Sequence, residues 1–338
     1  MSTAMLTMWK PTLLLALSSA TAFGQPPDEL PPACKKYKTV SIPSSDRPTP
    51  EQAKALEDCS SEDLYYGFDH PPDPTKARLC AYLEITSGDN ALLSGTAILT
   101  MVYANGRGAI RNFDLAIRFA CESSAFPGEA ARRIPHIEQL KAENWKGSDF
   151  DFCDDIADSM HASICSEKEY KIAEAKRRKQ LDAIIAKWST EDKQAFVKLQ
   201  QAAKAFFEAR QENEVDQSGT SRYTSGFSEQ SELEDGFVSA LSGFEGGKLP
   251  NFTNAKFTKA DAALNAAYAK AMKLAARPNR QGTITVEGIR ETERLWLRYL
   301  VAWVAFAKQK YPQVTADSWR GWLTEERTTQ LQGLLLDY

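Results

Sequence analysis

VYANGRGAIRNFDLAIRFACES, residues 102–123, reads as the end of a helix, a tight glycine turn and a second helix that closes on a cysteine. A phosphate-cradling loop would need a strand before the glycines and Gly-Lys-Ser/Thr after them, and neither is present. Gly106 and Gly108 instead supply the positive backbone angles that end one helix, and Asn112 or Asp114 starts the next. The stretch therefore predicts a corner between two packed helices, and it turns the search from an active site toward a binding surface.

Working outward, CSSEDLYYGFDHPPDPTKARLCAYLE (59–84) lies over TAILTMVYANGRGAIRNFDLAIRFACE (96–122), with Tyr66 on Tyr103 and, after two extra residues in the second turn, Ala77 on Ala116. A period of about 37 to 39 residues falls in the range of helix-pair solenoids. Upstream, Thr49 is an expected N-cap with Pro50 at the first helical position. Tyr103-Ala104-Asn105-Gly106-Arg107-Gly108, followed by Ala116, Phe119 and Cys121, resembles a Sel1-type repeat of the tetratricopeptide class. The earlier copy keeps Tyr65-Tyr66-Gly67 and replaces the turn with DHPPDP. The resemblance covers residues 51–125 and implies an α-solenoid fragment with a concave protein-binding surface, so residues 51–147 are assigned to Sel1-like helical repeats.

A central helical region is assigned to residues 148–248. It opens on SDFDFCDDIADSMH, in which Asp149, Asp151, Asp154, Asp155 and Asp158 crowd together. A calcium loop would place a glycine at its sixth position and a glutamate at its twelfth, and this segment does not, so the acids read as a helix N-terminus set against its dipole. Residues 166–188 read as a charged helix, and Ser189-Thr190-Glu191-Asp192 as a capping box opening the next. There Phe196, Leu199, Ala203 and Phe206 recur at helical spacing. DQSGTSR and GFEGGKLPNF mark boundaries.

Residues 249–338 carry the most informative pattern. Ile289, Trp296, Leu300, Trp303 and Ala307 form one apolar stripe, and Tyr299 and Phe306 widen it until it must meet more than one helix. Asp261-x-x-Leu264-Asn265-x-x-Tyr268, then about 25 residues, then Glu293-Arg294-x-Trp296, resembles the LprI-type lysozyme inhibitor family, small exported helical domains of bacteria. The match spans 255–335. After Trp296 the chain departs from the family's Tyr-Arg-Asp, reading Tyr299-Leu300-Val301. Leu199–Arg210 aligns with Ile289–Leu300, so the central region is a candidate diverged copy. The resemblance implies that Asp261, Leu264, Asn265, Tyr268, Glu293, Arg294 and Trp296 are motif residues for partner contact. Their residue types alone equally fit caps, interhelical hydrogen bonds and core aromatics.

At the other end, Lys10 followed by TLLLALSSATAFG reads as a signal peptide over residues 1–24, with Ala20-Thr21-Ala22 and Ala22-Phe23-Gly24 as competing cleavage sites. The apolar run is too short to span a membrane. A proline-rich, extended lead-in follows over 25–50. Without the leader, 40 basic residues face 45 acidic ones, a charge near −5 that argues against nucleic acid as a partner and tolerates a basic protein.

All six cysteines, Cys34, Cys59, Cys80, Cys121, Cys153 and Cys165, follow the leader, and an even number in an exported chain favours disulfides. No C-x-x-C supports a redox motif or a zinc ribbon. Six cysteines permit about 15 pairings. The Sel1-like resemblance, in which the end of one helix pair is tied to the next, implies consecutive bonds: Cys34–Cys59, Cys80–Cys121 and Cys153–Cys165. The last requires a helix break near Ser159–Ala162, because one unbroken helix would hold its ends about 18 Å apart, and without that break these two cysteines pair elsewhere.

His70, His136 and His161 stand apart, with no metalloprotease or nucleophile signature. The sequence thus predicts an all-α chain, a helix-pair solenoid fragment followed by a helical bundle. No catalytic, cofactor-binding or metal-ligating residue is assigned. The expected protein is periplasmic or secreted, without stable membrane insertion, and binds a protein partner. The family resemblance implies a lysozyme as that partner, and the Sel1-like half implies the alternative of a cell-envelope scaffold.

Overall fold

A computed structural model describes residues 32–89, 91–123, 127–220, 222–278 and 282–334, which form thirteen α-helices and no strand. The expected leader over residues 1–24 lies outside the described residues. No helix among them is long and apolar enough to cross a membrane.

The lead-in is only partly extended: α1 (Ala33–Tyr37) buries Cys34 and Tyr37, and α2 (Pro50–Ala55) starts on the expected Thr49 cap, completed by Gln52. Two helix pairs follow, α3 (Ser61–Tyr66) with α4 (Pro74–Ser87) and α5 (Gly95–Asn105) with α6 (Phe113–Glu122), and then α7 (Pro127–Ala142). The corner at NGRG is built as its residues dictate. Gly106 ends α5 at φ 64°, and Asn112 caps α6 by accepting from Asp114 and Leu115. A side chain on Gly108, at φ 88°, would collide with the Pro74 carbonyl, so this glycine lets the second pair's corner rest on a helix of the pair before it.

The repeat register differs from the sequence alignment at its first anchor. Asp73 N donates to Leu64 O at 2.7 Å, and Asn112 N donates to Tyr103 O at 3.0 Å. Cap, turn and tie thus recur at one constant offset, from Gly67 to Gly106 and from Asp73 to Asn112. Leu64, not Tyr66, is the counterpart of Tyr103, while Ala77 and Ala116 do correspond.

The disulfides are Cys34–Cys121, Cys59–Cys80 and Cys153–Cys165. Two of the three expected pairings are therefore corrected. Cys59 precedes α3 and Cys80 lies in α4, so they close one helix pair upon itself, and α1 lies on α6, which brings Cys34 to Cys121. The third pairing holds because the chain breaks before α8 (Ser159–Ile185), upstream of the expected Ser159–Ala162, which is helical: Ile156 is extended and Asp158 caps the helix, leaving the two Cα atoms 5.9 Å apart.

One apolar core joins α1 and α3–α7, with Ile98, Leu99, Val102, Leu115, Ile117 and Phe119 at its centre. Phe150 and Phe152, beyond the boundary drawn at residue 147, pack into it. α8 belongs to both halves, since Ile164 packs on this first core and Leu181, Ile184 and Ile185 on a second. Between them the buried Lys168 ammonium sits 2.9 Å from Asp151.

The second core joins α8–α10 with α11–α13, across the boundary drawn at residue 248. It comprises two triples: α8 with α9 (Thr190–Asn213) and α10 (Arg222–Glu245), then α11 (Asn254–Ala275) with α12 (Val286–Lys310) and α13 (Ala316–Gly333). In each triple the outer helices run parallel and pack together. Tyr170 meets Glu234 and Arg177 meets Asp235 along α8 and α10, while Phe252 at the entry of α11 meets Ser318 in α13. The middle helices cross the pseudosymmetric seam antiparallel: Thr292 bonds the Ala209 carbonyl at 3.2 Å, Phe206 stacks on Tyr299 and Phe196 touches Phe306. The predicted stripe of α12 is buried at Ile289, Trp296, Trp303 and Ala307, and its width is explained by contacts with α9, α11 and α13. Ser189 caps α9 from one side only, because the Asp192 carboxylate turns to Lys310 at 3.5 Å.

Candidate functional site

The α11–α13 triple opens outward into a groove that gathers Asp261, Leu264, Asn265, Tyr268, Glu293, Arg294 and Trp296, every residue of the expected motif. The packing that shapes it starts at Gly321. A side chain there would collide with the Phe252 ring, so its absence lets α11 approach α13 closely, and Ser318 fixes the Phe252 backbone at 3.0 Å.

The motif residues divide by depth. Leu264 and Trp296 are buried and form the floor. Asp261 and Asn265 are exposed on one face of α11, where the Asn265 amide donates to the Asp261 carbonyl at 2.9 Å and to its carboxylate at 3.2 Å. Neither residue caps a helix, since Thr253 caps α11, and among the described residues neither bonds across helices. Tyr268 is half-buried beside them. Arg294 stands exposed at the rim and pairs with Glu287 at 2.7 Å and Glu291 at 3.2 Å. Such exposed pairs are weak and can exchange partners.

Glu293 turns inward. It accepts from Arg327 Nε at 3.0 Å, and the same guanidinium places two bonds on Glu214, at 2.8 and 2.6 Å. Arg210 continues the chain to Glu214 at 3.1 Å and to Glu229 at 2.7 Å. Burial pushes the Glu293 carboxyl up while Arg327 pulls it down, and the net shift is upward. Burial opposes the Arg327 charge, and the two glutamates more than restore it. The motif's glutamate therefore anchors the groove wall to a buried ionic network joining α9, α10, α12 and α13.

Sequence reasoning missed this network and the groove's other two rim cations, Arg290 and Arg320. A signal for the network exists: Arg327 interrupts the row Trp319, Leu323, Leu331 at a spacing of four, and Arg210 likewise extends Phe196, Leu199, Ala203 and Phe206. The rim arginines carry no such signal, because arginine on an exposed helix face is ordinary.

A second concavity lies in the equivalent place of the α8–α10 triple, where Gln200, Ala203, Lys204 and Phe207 take the places of Glu293, Trp296, Leu297 and Leu300. The common spacing sets Leu199 opposite Thr292, three residues along from the alignment of Leu199 with Ile289. Ala203 stands where the motif has Trp296, so this second groove lacks the indole and draws its aromatic rings from Phe207 and Phe237 instead.

The acids of residues 149–158 take separate structural partners. Asp151 meets Lys168 and Tyr66, Asp155 meets His136 at 3.1 Å, and Asp158 caps α8. Glu129, Asp158 and His161 are the one set of potential metal donors that converge among the described residues. His161 Nδ1 lies 2.9 Å from Glu129 and 2.8 Å from Asp158, and the Arg133 guanidinium stands 3.8 Å from Glu129. With Arg133 against this donor set, the arrangement fits a buried ion-pair cluster holding the start of α8 better than a dication site.

No protein family matches the chain, and no curated protein or solved structure is similar to it.

Proposed function

We propose that the chain is an exported, non-enzymatic protein that binds a lysozyme-like muramidase through the groove of α11–α13 and inhibits it. The observation that carries this reading is the convergence of the whole LprI-like motif on one groove whose rim presents Arg290, Arg294 and Arg320. Muramidases cleave the glycosidic bond with a pair of carboxyl groups. Guanidinium groups above an aromatic floor suit such a carboxylate-lined cleft, because arginine engages carboxylates in a planar, bidentate fashion. Three disulfides fit an oxidising compartment, the periplasm or the outside of the cell.

The test is lysis of a bacterial cell-wall suspension by several lysozyme types, with and without the oxidised protein, alongside direct binding. Saturable inhibition near equal molar ratio is expected. Absence of both inhibition and binding across the panel overturns the reading. The scaffold alternative draws on Ile110, which stands 91% exposed at the α5–α6 corner of the Sel1-like half. Capture of an envelope partner that is lost on Ile110→Asp, with lysozyme binding absent, favours it instead.

A further inference from the structure

The opposite face of α13 bounds a cleft that the motif does not reach. At about 100° per residue, Arg320 and Thr324 point to the groove, while Trp322, Glu326 and Gln330 point away from it. This cleft, about 320 Å³, is walled by aromatic rings from four helices, among them Phe207 of α9, Phe237 of α10, Tyr299 of α12 and Trp322 of α13. Two carboxylates, Glu326 and Glu232 of α10, also line it.

Its polar inventory is one-sided. Elsewhere in the bundle, carboxylates drawn inward face a guanidinium: Glu214 and Glu293 meet Arg327, and Glu234 meets Arg177. Among the described residues, no Lys or Arg pairs with Glu326 or Glu232. Glu326 and Glu232 are exposed at the cleft mouth, and the Trp322 side chain beside Glu326 favours its charged form. The Gln330 Oε1 atom is buried and accepts no hydrogen bond. Acceptors beside aromatic faces, with no cation to meet them, repel an anion. They attract a positively charged donor, which gains from the ring quadrupoles and from the carboxylate together.

We propose that this cleft binds an organic cation, an alkylammonium or guanidinium group, held by Glu326 with Glu232 and Gln330 as further acceptors and enclosed by the rings of Phe207, Tyr299 and Trp322. The site stands independently of the muramidase reading and shares no residue with the α11–α13 groove. Crowding by the apolar walls raises the Glu326 carboxyl to about 7, against a smaller downward pull from Trp322. The titratable groups facing it are Glu232 from α10 and Tyr299 from α12, while α9 contributes only phenylalanine rings. Protonation of Glu326 therefore competes with the cation near neutral pH.

The experiment titrates the oxidised full chain with n-butylammonium, n-butylguanidinium and neutral 1-pentanol, following the Trp322 indole N–H resonance. The tripeptides Ala-Lys-Ala and Ala-Arg-Ala carry the same groups on a peptide. Saturable cation binding is expected, at least tenfold tighter than pentanol and tightening from pH 6 to pH 8. Glu326→Gln, which keeps the side chain's shape, should weaken it at least tenfold and flatten the pH profile, and Arg294→Ala should leave it unchanged. Tighter binding of the tripeptides than of the butyl cations assigns the site to a protein's side chain, and the reverse assigns it to a free amine. Absence of saturable binding, equal affinity for pentanol, or unchanged binding in a folded Glu326→Gln protein overturns the proposal.

Discussion

Arg327 and Glu214 form a two-bond ion pair in which both side chains are 0% exposed, although one lies in α13, the other just past the end of α9, and they are far apart in sequence. A buried pair of this kind adds little over an apolar replacement of both partners, but removal of one leaves an uncompensated charge. Arg327→Met should therefore cost about 3–5 kcal/mol. Glu293→Gln, at the solvent side of the network, should cost about 1 kcal/mol. Arg327→Leu combined with Glu214→Leu should recover part of the loss. Urea denaturation followed by tryptophan fluorescence measures all three, and an Arg327→Met protein as stable as the parent would contradict the assignment.

The disulfides close loops of very different size, with sequence separations of 87 for Cys34–Cys121 and 21 for Cys59–Cys80. Chain-entropy arguments put their contributions at about 4.6 and about 3.3 kcal/mol. The C34S/C121S protein should accordingly melt below the C59S/C80S protein. Peptide mapping without reduction should recover the observed pairs, and a Cys80–Cys121 peptide would refute them.

Those pairings show where legibility ended. The helix corner at Gly106, the Thr49 cap and the stripe of α12 are local patterns, fixed by residues within a few turns of one another, and all could be read from the chain. Whether Cys34 reaches Cys59 or Cys121 depends on α1 lying on α6, a tertiary contact without a periodic signal. The same holds for Asn105. Within YANGRG it reads as a turn residue, yet its buried amide donates to Tyr65 at 2.9 Å and to the Phe150 carbonyl at 2.8 Å, and accepts from Phe150 N at 3.0 Å. The motif residues that meet in the α11–α13 groove stand close together along α11 and α12, whereas the cleft at Glu326 draws on four helices and carries no sequence pattern at all.

Asn105→Ala would strand those Phe150 groups inside the first core. The expected cost is on the order of 2 kcal/mol, within the range for a buried unsatisfied polar group. Hydrogen exchange should show lost protection at the Phe150 amide before any change in α9–α13, and uniform loss across both cores would contradict this local role.

The raised Glu326 carboxyl makes a signed prediction about pH. Its folded value of about 7 lies above the ordinary 4.5, so between these values the folded state holds a proton that the unfolded state releases. Stability contributed by this group is thus present at pH 4.5 and lost as pH rises toward 7. Glu326 keeps solvent contact at the cleft mouth, which screens the effect. Parent and Glu326→Gln should differ in the slope of stability against pH between 5 and 7, with the parent falling relative to the variant. Parallel curves would show that the carboxyl titrates normally.

Within the α11–α13 groove, packing and contact can be separated because the motif is stratified. Trp296 is buried at the floor, so Trp296→Ala should cost about 3–5 kcal/mol and abolish the proposed partner binding together with the fold of the groove. Arg290 and Arg294 stand at the rim in exposed pairs with Glu287, so reversing both to glutamate should change stability by less than about 1 kcal/mol. If the rim recognises acidic groups on a muramidase, the double reversal should slow association at least tenfold at low salt. That difference should shrink as ionic strength rises and screening shortens the reach of the charges. Stopped-flow association at two salt concentrations, beside a melting curve for each protein, checks both halves. An unchanged association rate in a protein that binds through some other surface would remove the rim arginines from recognition and leave the motif a packing device.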